Sequence, residues 1–249
     1  MKFPDIKVMI LAAGKGTRLG AIAKNIPKAM LPIKENMPLL EHLICLMRGQ
    51  GFLNFIINLH YLPEKITGYF KDGGNWAVKI VYSDETGQLL ETGGAIKKAE
   101  PLLSEDFILL YGDQLHFFDF RLAFEQHCQT KALATIILKR SDSPQAGEVL
   151  EINPLTKKII KCYPRPHQIY NYSGNLFVNS GLYILSKKIL DYIPAGKSIK
   201  LDIEVMPALI EKALGVFGFI ANDDILDIGT PEKYQFAKDW YEKRKNRAV

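Results

Sequence analysis

The first half of this 249-residue chain alternates short apolar runs with segments whose apolar residues recur at helical spacing. Strands that alternate with helices pack as a mostly parallel sheet with helices on both faces. The second half has more runs of strand length. We therefore predict an α/β fold with a mostly parallel mixed sheet flanked by helices. The predicted strands are 7–11, 55–59, 78–82, 107–111, 133–139, 147–152, 158–162 and 177–185, and the predicted helices are 39–48, 63–70, 93–103, 187–192, 202–214 and 231–245.

Composition and charge narrow the class of protein. The net charge of +5 is modest and spread out, whereas a nucleic-acid surface needs a dense basic stripe, so we expect no nucleic-acid partner. Cys45, Cys128 and Cys162 are far apart and lack metal spacing, as expected of reduced thiols in a cytoplasmic protein. No apolar run approaches the roughly 20 residues of a membrane span, and we expect no signal peptide before the first strand. We expect no membrane partner.

A glycine-rich turn follows the first predicted strand. Glycines let the backbone approach an anion closely, and Gly14 and Gly16 are followed by the cation of Arg18. The dinucleotide fingerprint would need a third glycine where Leu19 stands, and no glycine precedes a Gly-Lys-Ser/Thr triplet as in a P-loop. The turn therefore predicts a phosphate site of another kind, and it weakens a dinucleotide-dependent oxidoreductase as an alternative.

Residues 14–18 and 27–32 together resemble the signature of the sugar-1-phosphate nucleotidylyltransferases, Gly-x-Gly-Thr-Arg followed by Pro-Lys-x-x-x-Pro. The resemblance implies a Rossmann-like fold in which the glycine loop holds a nucleoside triphosphate. It gives catalytic roles to Arg18, which would stabilise the leaving pyrophosphate, and to Lys28, which would bind phosphate oxygens. The nucleotide-binding residues that it implies in this loop are Leu11, Ala12, Ala13, Gly14, Gly16 and Thr17.

Two aspartates at predicted strand ends are candidate metal ligands. Asp113 follows an apolar strand, where a hard carboxylate oxygen is well placed to hold Mg²⁺ over phosphates, although Gly-Asp alone fits an ordinary turn better. Asp227 ends a short strand before Gly-Thr-Pro, in which Thr230 is a good helix N-cap. The resemblance implies that Asp113 and Asp227 form a Mg²⁺ pair, and that Gly112 contacts the nucleotide.

The segment 90–96 opens a predicted helix with two glycines, which allow a close backbone approach. Simple helix entry is an alternative explanation. The resemblance places Glu91, Thr92 and Gly93 under the nucleobase and ribose. Glu91 favours an N-acetylmuramate-1-phosphate uridylyltransferase branch, whereas Asp-Ile-Gly-Thr-Pro-Glu at 227–232 favours a heptose-1-phosphate guanylyltransferase branch. The sequence leaves the base open.

The acceptor side matches the resembled family less closely. Gly147, Asn179 and Asp202 lie in segments that resemble its sugar-phosphate side. The family's Glu-Lys-Pro is here Pro164-Arg165-Pro166, and an arginine can hold a phosphate bidentately where a lysine acts as a point charge. Arg165 is the candidate sugar-phosphate-binding residue in place of that lysine, and the sequence leaves the replacement open. His60, His116 and His127 have no catalytic spacing and are interpreted as packing or surface residues.

The resemblance extends from residue 6 to about 240 and implies one catalytic domain over 1–249, with an acceptor-binding insertion at approximately 140–215. The implied reaction transfers a nucleoside monophosphate from a nucleoside triphosphate to a sugar 1-phosphate with Mg²⁺ and releases pyrophosphate. A heptose- or hexose-1-phosphate guanylyltransferase is preferred. The alternatives are an N-acetylmuramate-1-phosphate uridylyltransferase and a nucleotide sensor without turnover. The oligomeric state is left open.

Overall fold

The computed structural model describes residues 3, 5–140, 145, 147–169 and 174–245. The chain divides into two compact units. The first comprises Met1–Leu89, Leu110–Phe117 and Asp224–Val249, and the second comprises Leu90–Leu109 and Phe118–Asp223. The predicted insertion at about 140–215 falls within the second unit, and the single-domain interpretation stays a prediction.

The first unit is built around a parallel sheet in which β5 (Lys79–Asp84), β4 (Asn54–Leu59) and β1 (Lys7–Leu11) lie side by side in that order. Its core strand β1 is fully buried from Val8 to Ile10. The register places Leu11 beside Asn58 and Asn58 beside Ser83, so the strand ends that precede the loops are neighbours. Its elements are β1 (Lys7–Leu11), β2 (Pro32–Lys34), β3 (Met37–Pro38), α1 (Leu39–Gly49), β4 (Asn54–Leu59), α2 (Pro63–Phe70), β5 (Lys79–Asp84), β7 (Gln114–His116), β13 (Ile225–Asp227) and α6 (Pro231–Lys245).

The second unit has a mixed sheet. Strand β11 (Leu176–Ser186) pairs antiparallel with both β8 (Ala134–Lys139) and β9 (Val149–Ile152). Strand β10 (Ile159–Tyr163) pairs antiparallel with β9, and β12 (Val216–Ile220) pairs parallel with β8. Strand β6 (Asp106–Tyr111) begins in this unit and ends in the first. The other elements are α3 (Glu91–Lys98), α4 (Phe120–Thr130), β8 (Ala134–Lys139), β9 (Val149–Ile152), β10 (Ile159–Tyr163), β11 (Leu176–Ser186), α5 (Met206–Glu211) and β12 (Val216–Ile220).

Most predicted elements are observed, and the differences have local causes. The predicted helix 93–103 is α3 followed by a 3₁₀ turn at Glu100–Leu102, because Pro101 has no N–H to continue the α-helix. The predicted helix 202–214 is a π turn at Leu201–Val205 followed by α5, which has Pro207 in its first turn. The 187–192 helix is 3₁₀. Strands β2, β3, β7 and β12 were not predicted.

Helix α4 is the largest element absent from the prediction. Its buried residues Phe120, Ala123, Phe124 and His127 follow helical spacing. The Asp119 side chain accepts a hydrogen bond from the backbone N–H of Arg121, which is a helix-start signal. Both signals are present in the sequence.

Among the described residues, no helix combines the length and the apolarity that crossing a bilayer requires.

Candidate functional site

The glycine loop leaves β1 at Leu11 and turns into a 3₁₀ helix at Thr17–Ala23. Gly16 caps that helix with a φ of 65°, in the left-handed region that favours glycine. A Cβ there would lie 3.1 Å from Cβ of Ala23 and 3.3 Å from Cβ of Lys28. A Cβ on Gly14 would meet no atom of the described chain within 4 Å. The loop is therefore tight at Gly16 and open at Gly14.

Lys28 brings the two predicted metal ligands together. Its Nζ donates to Oδ2 of Asp113 at 2.5 Å and lies 3.7 Å from Oδ1 of Asp227. Lys28 is buried, whereas each aspartate side chain is about one-third exposed. Asp113 follows β6 and Asp227 ends β13, so the ends of two strands present carboxylates to one cation.

Asp227 has further charged neighbours. Lys233 in the first turns of α6 donates to its Oδ2 at 2.7 Å. Burial acts to raise the pKa of Asp227, but the hydrogen bond from Lys233 and the charges of Lys28 and Lys233 outweigh it and lower this pKa below its usual 3.8. Asp227 therefore stays ionised well into the acid range.

Arg18 lies beside the same carboxylate-bearing turn. A Cβ on Gly229 would come within 2.8 Å of Nη2 of Arg18 and 2.7 Å of Oδ1 of Asp227. Gly229 thus leaves room for the guanidinium and the carboxylate at one backbone position. Gly112 acts similarly, since its N–H donates to the Leu11 carbonyl and a Cβ there would lie 2.8 Å from that oxygen.

The donor set of this site suits a hard divalent cation. Among the described residues, no group of three or more His, Cys, Asp or Glu side chains could hold a metal by itself. Two carboxylates are nevertheless how proteins commonly hold Mg²⁺, with substrate phosphates and water supplying the other oxygens. Asp113 and Asp227 fit that pattern, because both carboxylates lie within 4 Å of one cationic group, the ammonium of Lys28.

The predicted base-binding segment lies in the second unit. Glu91 begins α3 with a φ of 58°. The Thr92 hydroxyl accepts from the Leu201 N–H at 2.8 Å, and the Gly93 N–H donates to the Ile199 carbonyl at 2.8 Å. A Cβ on Gly93 would lie 2.9 Å from that carbonyl. Gly93 and Gly94 therefore let the start of α3 pack closely against the backbone of residues 197–201.

The predicted sugar-phosphate residues surround a glutamate that sequence reasoning missed. Glu148 is only 4% exposed, and its Oε1 accepts from Nε of Arg165 at 2.7 Å. Burial and the charge of Glu148 raise the pKa of Asp202 against the opposing charges of Arg165 and Lys200. Arg165, Glu148 and Asp202 therefore form one electrostatic cluster.

Gly147 precedes β9, and Asn179 lies in β11, which pairs with β9. Asn179 donates to the Tyr183 hydroxyl at 2.7 Å and accepts from the Gly181 N–H. The Gly147 carbonyl lies 2.9 Å from Nε2 of His167, and a Cβ on Gly147 would lie 2.5 Å from Cγ1 of Val178. Asn179 and Gly147 therefore both form hydrogen bonds within the protein. In the sequence, Glu148 was marked only by its position after Gly147.

Comparison with known proteins places this arrangement in a family. The family model described as nucleotidyl transferase matches residues 7–244. The chain belongs to the nucleotidyl transferase family. The chain is 33% identical over 241 residues to a UTP–glucose-1-phosphate uridylyltransferase of Synechocystis sp., covering 92% of the chain and 61% of that protein. It is 27% identical to a mannose-1-phosphate guanylyltransferase of Mycobacterium tuberculosis, of which it spans 63%.

One relative has nearly the same length as this chain. The D-glycero-alpha-D-manno-heptose 1-phosphate guanylyltransferase of Aneurinibacillus thermoaerophilus is 30% identical over 236 residues, covering 94% of the chain and 97% of that protein. Among solved structures, HddC from Yersinia pseudotuberculosis complexed with GMP-PN has a TM-score of 0.78 and 27% identity, covering 95% of the chain and 99% of that protein. The likeness to solved structures confirms the predicted α/β fold with a mixed, mostly parallel sheet.

Proposed function

We propose that this nucleotidyl transferase family member transfers a nucleoside monophosphate from a nucleoside triphosphate to a sugar 1-phosphate. The observation that carries the proposal is Lys28 held between Asp113 and Asp227 beside the Gly14–Arg18 loop. Cations next to carboxylates at strand ends suit a triphosphate that arrives with a divalent ion. The names of the relatives support the same reaction class.

In this reaction a phosphate oxygen of the sugar 1-phosphate attacks the α-phosphorus and pyrophosphate leaves. The acceptor is already anionic near neutral pH, so no general base is needed. Catalysis then rests on positioning and charge stabilisation. Lys28 orients the α-phosphate, and Arg18 stabilises the charge that builds on the leaving pyrophosphate.

Asp113 and Asp227 would hold Mg²⁺, which when bound supplies neutralisation of phosphate charge. In the second unit, Arg165 would bind the sugar phosphate, and Glu148 fixes its guanidinium through Nε. We propose that Gly147, Asn179 and Asp202 line the sugar side, and that Glu91, Thr92 and Gly93 contact the base and ribose.

For the substrates, we propose a heptose- or hexose-1-phosphate guanylyltransferase. Support comes from the heptose relative of nearly equal length and from the solved HddC complexed with GMP-PN. A uridylyltransferase is the second candidate, because a UTP–glucose-1-phosphate uridylyltransferase is 33% identical to this chain. The cysteines Cys45, Cys128 and Cys162 carry free thiols, which supports the cytoplasmic location that we propose.

The deciding experiment offers the common nucleoside triphosphates in a matrix with heptose, mannose, glucose and N-acetylmuramate 1-phosphates, and measures pyrophosphate release. We expect one dominant pair, with GTP as the donor. Triphosphate binding without pyrophosphate release for any acceptor would contradict the transferase and favour a nucleotide sensor. If UTP is the dominant donor, the proposed reaction class stands, but the protein is a uridylyltransferase and not a guanylyltransferase.

A further inference from the structure

A buried polar pair lies behind the glycine loop in the first unit. Asn58 is 2% exposed and Glu85 is fully buried. Nδ2 of Asn58 donates to Oε1 of Glu85 at 2.9 Å. Oδ1 of Asn58 accepts from the backbone N–H groups of Ala12 at 2.6 Å and Ala13 at 3.2 Å. One side chain thus joins the start of the loop to a buried carboxylate.

The strand register explains how these distant residues meet. Asn58 lies opposite Leu11, the last residue of β1, so its amide reaches the first two residues of the loop. Glu85 follows β5, and its own N–H donates to the Leu59 carbonyl at 2.7 Å. Both partners are therefore fixed by the carboxyl ends of strands, where parallel sheets place their ligands.

The chemistry of the pair determines the direction of the amide. The backbone N–H groups of Ala12 and Ala13 can only donate, so Oδ1 of Asn58 faces them. The NH₂ group of Asn58 then faces Glu85, whose Oε1 accepts from it. A buried carboxylate without a hydrogen-bond partner would cost folding free energy. Two apolar side chains in place of Asn58 and Glu85 would fill the same space but would not orient the backbone of the loop.

We propose that Asn58 is a positioning residue for the triphosphate loop and that Glu85 fixes its orientation. The pair holds the backbone where it leaves β1, so that Gly14, Gly16 and Arg18 are placed before the nucleotide arrives. The N–H groups of Ala12 and Ala13 are engaged by Asn58, so the anion-binding amides of the loop begin at Gly14. This inference rests on the proposed function, since it assigns the loop to the nucleoside triphosphate.

The test exchanges the two polar groups. Asn58→Asp places a carboxylate beside Glu85 and removes the donor between them, whereas Asn58→Asp with Glu85→Gln restores one donor, one acceptor and the original charge. Asn54→Asp makes the same change at the other end of β4 and serves as the control. Asn58→Ser, which shortens the acceptor without adding charge, gives a second measure should Asn58→Asp not fold.

Calorimetry with each nucleoside triphosphate measures the donor Kd, and hydrogen exchange measures protection of the Ala12 and Ala13 amides. We expect Asn58→Asp and Asn58→Ser to raise the donor Kd at least about tenfold and to speed exchange at both amides, which follows from the loss of hydrogen bonds in a buried site. The double variant should recover to within about threefold of wild type. The KM for the sugar 1-phosphate should change little in these variants. The control variant Asn54→Asp should keep the donor Kd and the amide exchange rates of wild type.

Unchanged donor affinity in the single variants, or a double variant no better than Asn58→Asp, would overturn the inference. Equal losses for donor and sugar phosphate would show a general folding role and overturn it as well. Because binding is measured without turnover, a wild type that binds a triphosphate but releases no pyrophosphate contradicts only the proposed function. A wild type that binds none of the triphosphates contradicts both.

Discussion

Lys28 donates a 2.5 Å hydrogen bond to Asp113 from a position 85 residues earlier in the chain. The lysine is buried, and Asp227 lies on its other side at 3.7 Å. Removing the cation would leave the two carboxylates near each other, with Lys233 bonded to Asp227 and Arg18 beside the same turn as the remaining cations. The pairing therefore makes the lysine both a proposed catalytic group and the neutralising charge of the site.

We expect Lys28→Met to lower turnover by at least about a hundredfold, as is typical when a transition-state charge contact is lost. The variant should also gain more thermal stability from added Mg²⁺ than wild type does, because the ion replaces the missing positive charge. Pyrophosphate release and thermal unfolding with and without Mg²⁺ check this. An equal Mg²⁺ response in both proteins would show that Lys28 and the ion do not compete for the carboxylates.

Asp113→Asn removes a proposed Mg²⁺ ligand while keeping the shape of the side chain. Turnover should fall by orders of magnitude with the fold retained, since the amide is a poor ligand for a hard cation. Steady-state rates at matched Mg²⁺, with circular dichroism as the fold control, measure this. Asp191→Asn, at an exposed position of the second unit, is the matched variant. Wild-type activity in Asp113→Asn would contradict the assignment.

The lowered pKa of Asp227 sets a pH dependence of stability. Because the folded pKa lies below the unfolded value of 3.8, the ionised Asp227 stabilises the fold above that value and this contribution is lost as pH falls through the folded pKa. Asp227→Asn should be less stable than wild type at about pH 6, and the gap should narrow under acid conditions. Urea unfolding across pH measures the gap. A gap that is constant with pH would exclude this linkage.

Arg165→Ala should raise the KM for the sugar 1-phosphate at least about tenfold and leave the donor KM nearly unchanged, because the bidentate phosphate contact is lost. Arg165→Lys keeps the charge but loses the paired geometry, so an intermediate KM is expected. Initial rates with one substrate varied at a time separate the two. An increase in the donor KM alone would place Arg165 on the nucleotide side instead.

Asp202 has the opposite electrostatic character to Asp227. Burial and Glu148 raise its pKa, so its ionisation destabilises the fold as pH rises above 3.8, and this penalty is complete above the folded pKa. Asp202→Asn should therefore be more stable than wild type near neutral pH, with the difference disappearing in acid. Denaturant unfolding at several pH values tests the sign. Lower stability of the variant at neutral pH would contradict it.

The sequence predicted the α/β fold from local periodicity. Helix α2 was predicted with its observed ends because Pro63 begins it and its apolar spacing is regular. The residues that the structure brings together around Lys28 were also singled out, since glycines, cations and aspartates after strands have recognisable chemistry.

Other contacts could not be predicted from local pattern. Glu148 meets Arg165 across 17 positions and Asn58 meets Glu85 across 27, whereas Lys233 reaches Asp227, six residues before it, from the first turn of α6. Each depends on strand register or helix placement, which local periodicity does not specify. Helix α4, by contrast, had a local signal in Asp119 and in the spacing of its buried residues.

The left-handed backbone at Glu91 has a consequence for engineering this chain. A non-glycine residue at a φ of 58° is strained by roughly 1–2 kcal/mol, and a glycine would relieve that strain while adding about 0.5–1 kcal/mol of chain entropy cost. The backbone there would accept glycine with little net change in stability. Because we propose that Glu91 contacts the base, exchanging it for glycine removes that carboxylate while the backbone keeps its shape, which makes this position a place to redirect base choice.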